Sequence, residues 1–294
     1  MQNRTRDFYV IQIIGYISVS FIALFCLLPF ILIISGSFSV DSDIMKYGYK
    51  LIPVNISTAA YELMLRVPET IFDAYKVSIF VTLAGACIAL FITAMTAFVI
   101  MRKDFKYRNS IAFFFYFSSI FSGGMIPSYI LVAKYLNLKD NYLALILPPL
   151  LSAWNIFLMR NFMSSIPDAL AESAKIDGAN DMSIFMRLYL PISKPGLATV
   201  GLFIGLMYWN DWFRAMLYID QQEMYPLQYL LYRMLSSVKA MQEAASANSV
   251  VVGDLPGESL KMAMAIVATG PIILLYPFLQ RYFIQGLTVG AVKG

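Results

Sequence analysis

Long apolar runs constrain this chain more than any other feature. A helix needs about 20 residues to cross the hydrocarbon core of a bilayer. Six stretches reach that length: Ile11–Ser35, Lys76–Met101, Ile111–Lys134, Tyr142–Met163, Gly196–Leu217 and Leu260–Phe283. Composition agrees. Of 294 residues, 59% are apolar and 14% charged, where soluble domains average about 45–50% and about 25%. A soluble globule cannot hide that much apolar surface, so the lipid bilayer must be part of the solvent. The fold class expected is all-α: a polytopic membrane protein of six transmembrane helices, with both termini on one side.

The first run is too long for a signal-peptide core and lacks a small-x-small cleavage site. In Leu24-Phe25-Cys26, bulky Phe25 sits where a lipoprotein box needs a small residue. An uncleaved helix ending near Gly36 is expected. Gly123-Gly124 and Pro127 interrupt the third run, Pro148-Pro149 the fourth, and Pro271 and Pro277 the sixth.

The chain has no His. His-based general base catalysis, HExxH zinc sites and His-ligated haem are thereby excluded. No Ser-Lys or Asp pair stands out for an intramembrane enzyme, so no catalytic or metal residue is assigned. Cys26 and Cys87 both lie inside apolar runs and do not read as disulfide partners. No G-x-x-x-x-G-K-[ST] run occurs, so any ATP would be bound by another subunit. The net charge of +4 reads as loop asymmetry across a membrane, and no nucleic-acid partner is expected.

The positive-inside rule sets the orientation. Arg102, Lys103, Lys106 and Arg108 crowd one short loop. Placing that loop in the cytoplasm puts both termini there as well. Residues 37–75 and 218–259 then form long outer segments, the second with a helix-like stretch from Pro226 to about Ala245. Trp209, Trp212 and Tyr218 fit an outer aromatic belt, and Tyr225, Tyr229 and Tyr232 read as interface anchors.

Residues 164–195 break the apolar pattern. They are amphipathic, too polar to span, and lie in an inside loop. Ser165-Ile166-Pro167-Asp168 has capping-box spacing, so a short helix should run to about Ile176. Gly178 fits its stop. Asn180 or Asp181 can cap a second helix through Tyr189, terminated by Pro191. A helix, sharp turn and helix at the cytoplasmic surface are expected.

This segment resembles the "EAA" motif of ABC-importer permeases. Glu172, Ser173, Ala174, Asp177, Gly178, Ala179, Phe185, Leu190, Pro191 and Pro195 carry the resemblance, with Ser173 where Ala is usual. The 122–127 run SGGMIP, the Trp209–Trp212 run and the ending YPFLQRYFIQGLTVGAVKG are similar to permeases of the carbohydrate type, including the second permease of maltose transporters and oligosaccharide-uptake relatives. The likeness extends from about residue 70 to the end. It implies a permease subunit in a bacterial cytoplasmic membrane that moves a sugar, with an oligosaccharide expected. It divides the chain into a first helix and outer loop over 1–70 and a transport core over 71–294.

Further implications concern partners. The 164–195 loop would be a coupling helix docking on cytoplasmic ATPase subunits. A second homologous permease and an extracytoplasmic solute-binding protein would complete the importer. This chain would hold no cofactor, ATP and Mg belonging to the partner ATPase. The tail Ala291–Gly294 could reach toward that ATPase. Importers for an amino acid or peptide share the coupling loop and are the alternative cargo. A self-sufficient secondary carrier would need inverted repeats and midplane ionisable groups, and neither stands out.

Candidate translocation residues are Gly123, Gly124, Asn155, Asn210 and Asp211. The glycines fit either close helix packing or a broken helix lining a route. Asn155, Asn210 and Asp211 must avoid lipid, and they fit structural packing or solute contact. Asp211, near the outer end of the fifth run, could simply snorkel to water.

Overall fold

The computed structural model describes residues 6–66, 68–247 and 257–273. They form two compact units, one drawn from 1–68 and 233–271, the other from 69–232 and 272–294.

In the first unit, α1 (Arg6–Ser37) ends one residue past Gly36, where its end is expected. Its apolar part, Ile11–Ser37, is 27 residues long, or about 40 Å at 1.5 Å per residue. That exceeds the ~30 Å hydrocarbon thickness. Its side chains are unburied by the rest of the chain, as a helix solvated by lipid requires. Only the last turn is anchored: Tyr61 donates to Ser37 Oγ at 2.9 Å, and Ser35 Oγ donates to the Lys50 carbonyl at 2.6 Å. The following segment folds into α2 (Asp41–Tyr47) and α3 (Ala59–Met64). Buried Asp41 accepts the backbone N–H groups of Gly257, Glu258 and Ser259 at 2.6–2.9 Å, and Ser259 Oγ also donates to it. These are the orphan donors that open the helix over 258–273, so a carboxylate from the segment that follows α1 caps it. Pro271 lies within that helix without ending it among the described residues. Pro277, the remainder of the sixth run and Ala291–Gly294 lie outside the described residues.

In the second unit, α4 (Pro68–Met101) starts eight residues before the expected Lys76. Its buried positions 77, 81, 85, 89, 93 and 97 form one i, i+4 ridge. Small residues on that ridge let a neighbour approach closely.

The third run is broken where its glycines and proline interrupt it. α5 (Arg108–Ile120) and α6 (Met125–Ile130, running on as a π-turn through Tyr135) meet at 113°. Gly124 between them has φ +87°, a left-handed conformation that favours glycine. A Cβ on Gly124 would meet nothing within 4 Å, and one on Gly123 only Pro127 at 3.9 Å. Backbone conformation, rather than close packing, explains Gly124, and nothing in the structure explains Gly123. The fourth run is also divided. α7 (Leu143–Ile146) and α8 (Ala153–Met163) flank Pro148-Pro149, whose missing N–H groups stop the helix.

Next come α9 (Asp168–Ile176), α10 (Asp181–Ile184, continuing as a π-turn over Phe185–Tyr189) and the single turn α11 (Leu190–Ile192). α12 (Lys194–Trp209) leaves the Asp181–Ile192 stretch at 84°. The fifth run therefore ends at Trp209, and α13 (Phe213–Tyr218) is a separate helix. α14 (Leu227–Ala247) matches the expected outer helix, and Ser78 Oγ accepts its first N–H, from Leu227, at 2.7 Å. Two helices are long and apolar enough to span alone among the described residues, and four if each bent pair counts as one.

The aromatic-belt expectation is corrected. Trp209, Tyr218, Tyr225 and Tyr229 are buried, and Tyr218 stacks on Tyr129 at 6.0 Å. They are core residues. Trp212, more exposed, stacks on Tyr232 at 4.5 Å. Cys26 and Cys87 are free, as expected.

Candidate functional site

The 164–195 segment folds as helix, turn and helix. α9 ends in a Schellman arrangement: Gly178 N–H donates to the Lys175 carbonyl at 3.0 Å, and Ala179 N–H to the Ala174 carbonyl at 2.9 Å. Gly178 has φ +82°. Asn180 is the cap of the second helix, its Oδ1 accepting Ser183 N–H at 2.8 Å. Two details differ from expectation. Ser165 does not form a capping box, because its Oγ donates to the Phe162 carbonyl at 2.6 Å. Pro191 does not end the second helix at Tyr189. The π-turn over Phe185–Tyr189 precedes the proline's missing donor, and helix continues to Ile192.

The pair is held against the end of α4 in two ways. Buried Phe185 and Tyr189 pack on Phe98, with ring centroids 5.3 and 5.1 Å apart. An ion network lies beside them. Arg102 donates from Nη1 to Asp181 at 2.9 Å and from Nε to Asp104 at 2.8 Å, with Nη2 also on Asp104. Lys175 donates to the same Asp104 at 2.7 Å. Hydrogen bonds from Arg102 and then Lys175 hold the Asp104 carboxyl well below the usual carboxylate range. Its bond to Asp104 raises Arg102 further above its ordinary value. Lys103, raised in the same sense, bonds to exposed Asp168 at 2.8 Å. These groups line a cleft of about 300 Å³ with Glu172 and Ala171.

Of the motif residues, Glu172, Ser173, Asp177, Gly178 and Pro191 are exposed, Ala174, Ala179 and Leu190 are half-buried, and Phe185 is buried. Ile176 at the tip is 87% exposed. One side of the pair is thus an anchor and the other an uncovered knob. The arrangement offers docking chemistry, with carboxylates, an amide turn and an apolar tip. In the sequence Arg102 counts only as one of four bases in a short loop, and Asp104 is not singled out. The signal that could have found them is an acid set two residues after an arginine in a basic loop.

The five translocation candidates do not form one hydrogen-bonded cluster among the described residues. Gly123 and Gly124 are exposed at the break between α5 and α6, and Asn155 is buried on α8. Asn210 donates to the Leu206 carbonyl at 3.0 Å. Asp211 does not snorkel: it accepts Arg214 N–H at 3.1 Å and pairs with that guanidinium at 2.6 Å, its side chain 10% exposed.

Residues 89–289 match the family described as binding-protein-dependent transport system inner membrane component. The chain belongs to that family, as a multi-pass membrane subunit of an ABC transporter. It is 39% identical over 295 residues to the polygalacturonan/rhamnogalacturonan transport system permease protein YtcP of Bacillus subtilis (strain 168), covering 100% of each chain. Protein LplC of the same organism is 39% identical over 270 residues, covering 91% of this chain and 90% of LplC. Among solved structures, a bacterial ABC transporter involved in the import of the acidic polysaccharide alginate aligns with TM-score 0.75 and 29% identity. That alignment covers 95% of this chain and 98% of the other.

Proposed function

We propose that this chain is the permease subunit of an ATP-driven importer for a sugar, an oligosaccharide in particular, and that its 164–195 helical pair docks on a cytoplasmic ATPase. The observation that carries the docking reading is the knob itself, anchored to α4 by Phe185, Tyr189 and the ion network and uncovered at Ile176, Asp177 and Gly178, with exposed Glu172 at the mouth of the cleft. The cargo reading rests on the polysaccharides named for the full-length relative and the structural neighbour.

The working assembly contains two ATPase subunits, which bind ATP and Mg, a second homologous permease and an extracytoplasmic solute-binding protein. The dependence on a binding protein is part of the family's description. Six spans result when the divided 142–163 segment, α12 and the helix that begins at 258 are added to the two long helices and the broken 108–135 pair. Residues 1–70 supply the first span and an outer segment, and 71–294 the transport core. The basic loop at Arg102–Arg108 puts the coupling pair and both termini in the cytoplasm.

ATP-driven closure of the ATPases would move the docked knobs and rock the spans between inward-facing and outward-facing states. Glu172, Ser173, Ala174, Asp177, Gly178 and Ala179 meet the ATPase, while Phe185, Leu190 and Pro191 set the angle of the second helix. Gly123, Gly124 and Asn155 line the translocation route, with Asn210 and Asp211 near its outer end. The support is a helix broken at a left-handed glycine and the buried amide of Asn155 on α8.

Co-purification of the chain expressed with its neighbouring genes tests this. A P-loop ATPase and a second permease should accompany it, and Glu172→Ala should weaken the ATPase association. A chain that purifies alone and moves solute in vesicles without ATP sinks the proposal.

A further inference from the structure

The geometry points to Arg102 as a positioning residue that ties the end of α4 to both helices of the coupling pair at once. It stands one residue beyond Met101, the last residue of α4. One guanidinium nitrogen holds Asp181, the first residue of α10. The other side of the guanidinium holds Asp104, which passes the link on to Lys175 in the last turn of α9. The two ties fall on opposite sides of Gly178. Together with the Lys103–Asp168 bond and the packing of Phe185 and Tyr189 on Phe98, they join the knob to the end of α4.

Arginine suits this position for a physical reason. Its planar fork presents donors in two directions, whereas lysine is a point charge on a flexible stem. The guanidinium is also fixed in place. It lies over the Phe98 ring at 5.5 Å, and its side chain is 12% exposed. Phe98 in turn contacts Phe185 and Tyr189 of the second helix. The same aromatic floor therefore supports both the ion network and the helix that the network grips. The arginine end of these pairs is shielded while Asp104 and Asp181 stay exposed, so each tie is modest alone and the coupling comes from both sharing one fixed guanidinium. Displacement of the knob would then be delivered to α4 as a unit, with little slack at the glycine hinge.

This inference rests on the docking reading above and adds the route by which docking is felt. The test uses the assembled transporter in liposomes, with binding protein and solute, reading ATP hydrolysed per solute imported. Arg102→Gln and Asp104→Asn should raise that ratio about fivefold, the size typical of neighbours in one ion network, while the ATPase still co-purifies. Asp181→Asn, a milder change at an exposed partner, should move it the same way. Arg102→Lys should recover less than half of the loss. Asp104→Asn combined with Lys175→Gln should be no worse than Asp104→Asn alone, because both act on one link. Lys76→Gln, which breaks an exposed pair at the far end of α4, is the control. An intact complex with an unchanged ratio in Asp104→Asn and Asp181→Asn overturns the inference alone, as does a double variant whose effects multiply. A wild-type chain that recovers no ATPase overturns the docking reading and this inference with it.

Discussion

The ring of Tyr208 lies directly over Gly85: a Cβ at position 85 would stand 2.6 Å from two of its carbons. Tyr208 cannot easily retreat, because its hydroxyl donates to the Ile146 carbonyl at 2.8 Å. One methyl group at position 85 must therefore push α12 away from α4 or break that hydrogen bond. Gly85→Ala is expected to destabilise the fold by about 1–3 kcal/mol, as overpacking does. Thermal unfolding in mild detergent should show a lowered midpoint, with Tyr208→Leu restoring part of it. An unchanged midpoint in Gly85→Ala would show that the two helices are not in this contact.

Gly178 poses the opposite case. A Cβ there meets nothing within 4 Å, but φ is +82°. The cost of substitution is conformational, about 1 kcal/mol for Ala and more for a β-branched residue, with Asn the mildest. Gly178→Asn should retain most transport, Gly178→Val should lose much of it, and Gly178→Trp should insert normally yet fail to transport. Equal transport by the Asn and Val variants would mean that the left-handed turn is not needed.

Asp41 accepts four donors from residues 257–259 while 7% exposed. Asp41→Ala leaves those donors without an acceptor, at an expected cost of about 2–4 kcal/mol. Asp41→Asn retains one carbonyl oxygen and should cost less. Limited proteolysis of the outer segments provides the readout, with faster cleavage expected in the order wild type, Asn, Ala.

The ion network makes a signed pH prediction. The Asp104 carboxyl is lowered from an ordinary value of 3.8. A lowered carboxylate stabilises the fold above its unfolded value and stops doing so as pH falls through its folded value. The contribution should therefore be constant from about pH 5 upward and vanish only in strong acid. Asp104 is about half exposed, so solvent screening keeps the contribution modest. Unfolding midpoints of wild type and Asp104→Asn should differ by a constant amount between about pH 5 and 8, and the difference should shrink as pH falls below about 4, closing only in strong acid. A difference that grows toward pH 8 would contradict the assignment.

Several elements were legible from local pattern alone. α9 ends at Ile176 as its stop residue implies, although its expected capping box does not form, and Gly178 and Asn180 serve as stop and cap. These are short-range effects, set by side chains within a few residues of the backbone they satisfy. The long apolar helices α1 and α4 were legible for the same reason. The breaks were less so. Gly123-Gly124 and Pro148-Pro149 announced interruptions, but not that one would turn the chain through 113°. The end of α12 at Trp209 was missed, because Asn210 and Asp211 read as polar positions in a span rather than as the turn that opens α13.

By itself, the sequence determined a membrane-embedded, all-helical chain and a polar helix-turn-helix between apolar runs, because hydropathy and capping act over short distances. The tertiary structure alone decided that Trp209 and Tyr218 are core rather than belt, that Asp41 caps a helix more than 200 residues away, and that Arg102 reaches Asp181. Those outcomes depend on which groups packing brings within 3 Å of one another. A charge or ring in a linear pattern carries no record of the distant residue that will satisfy it.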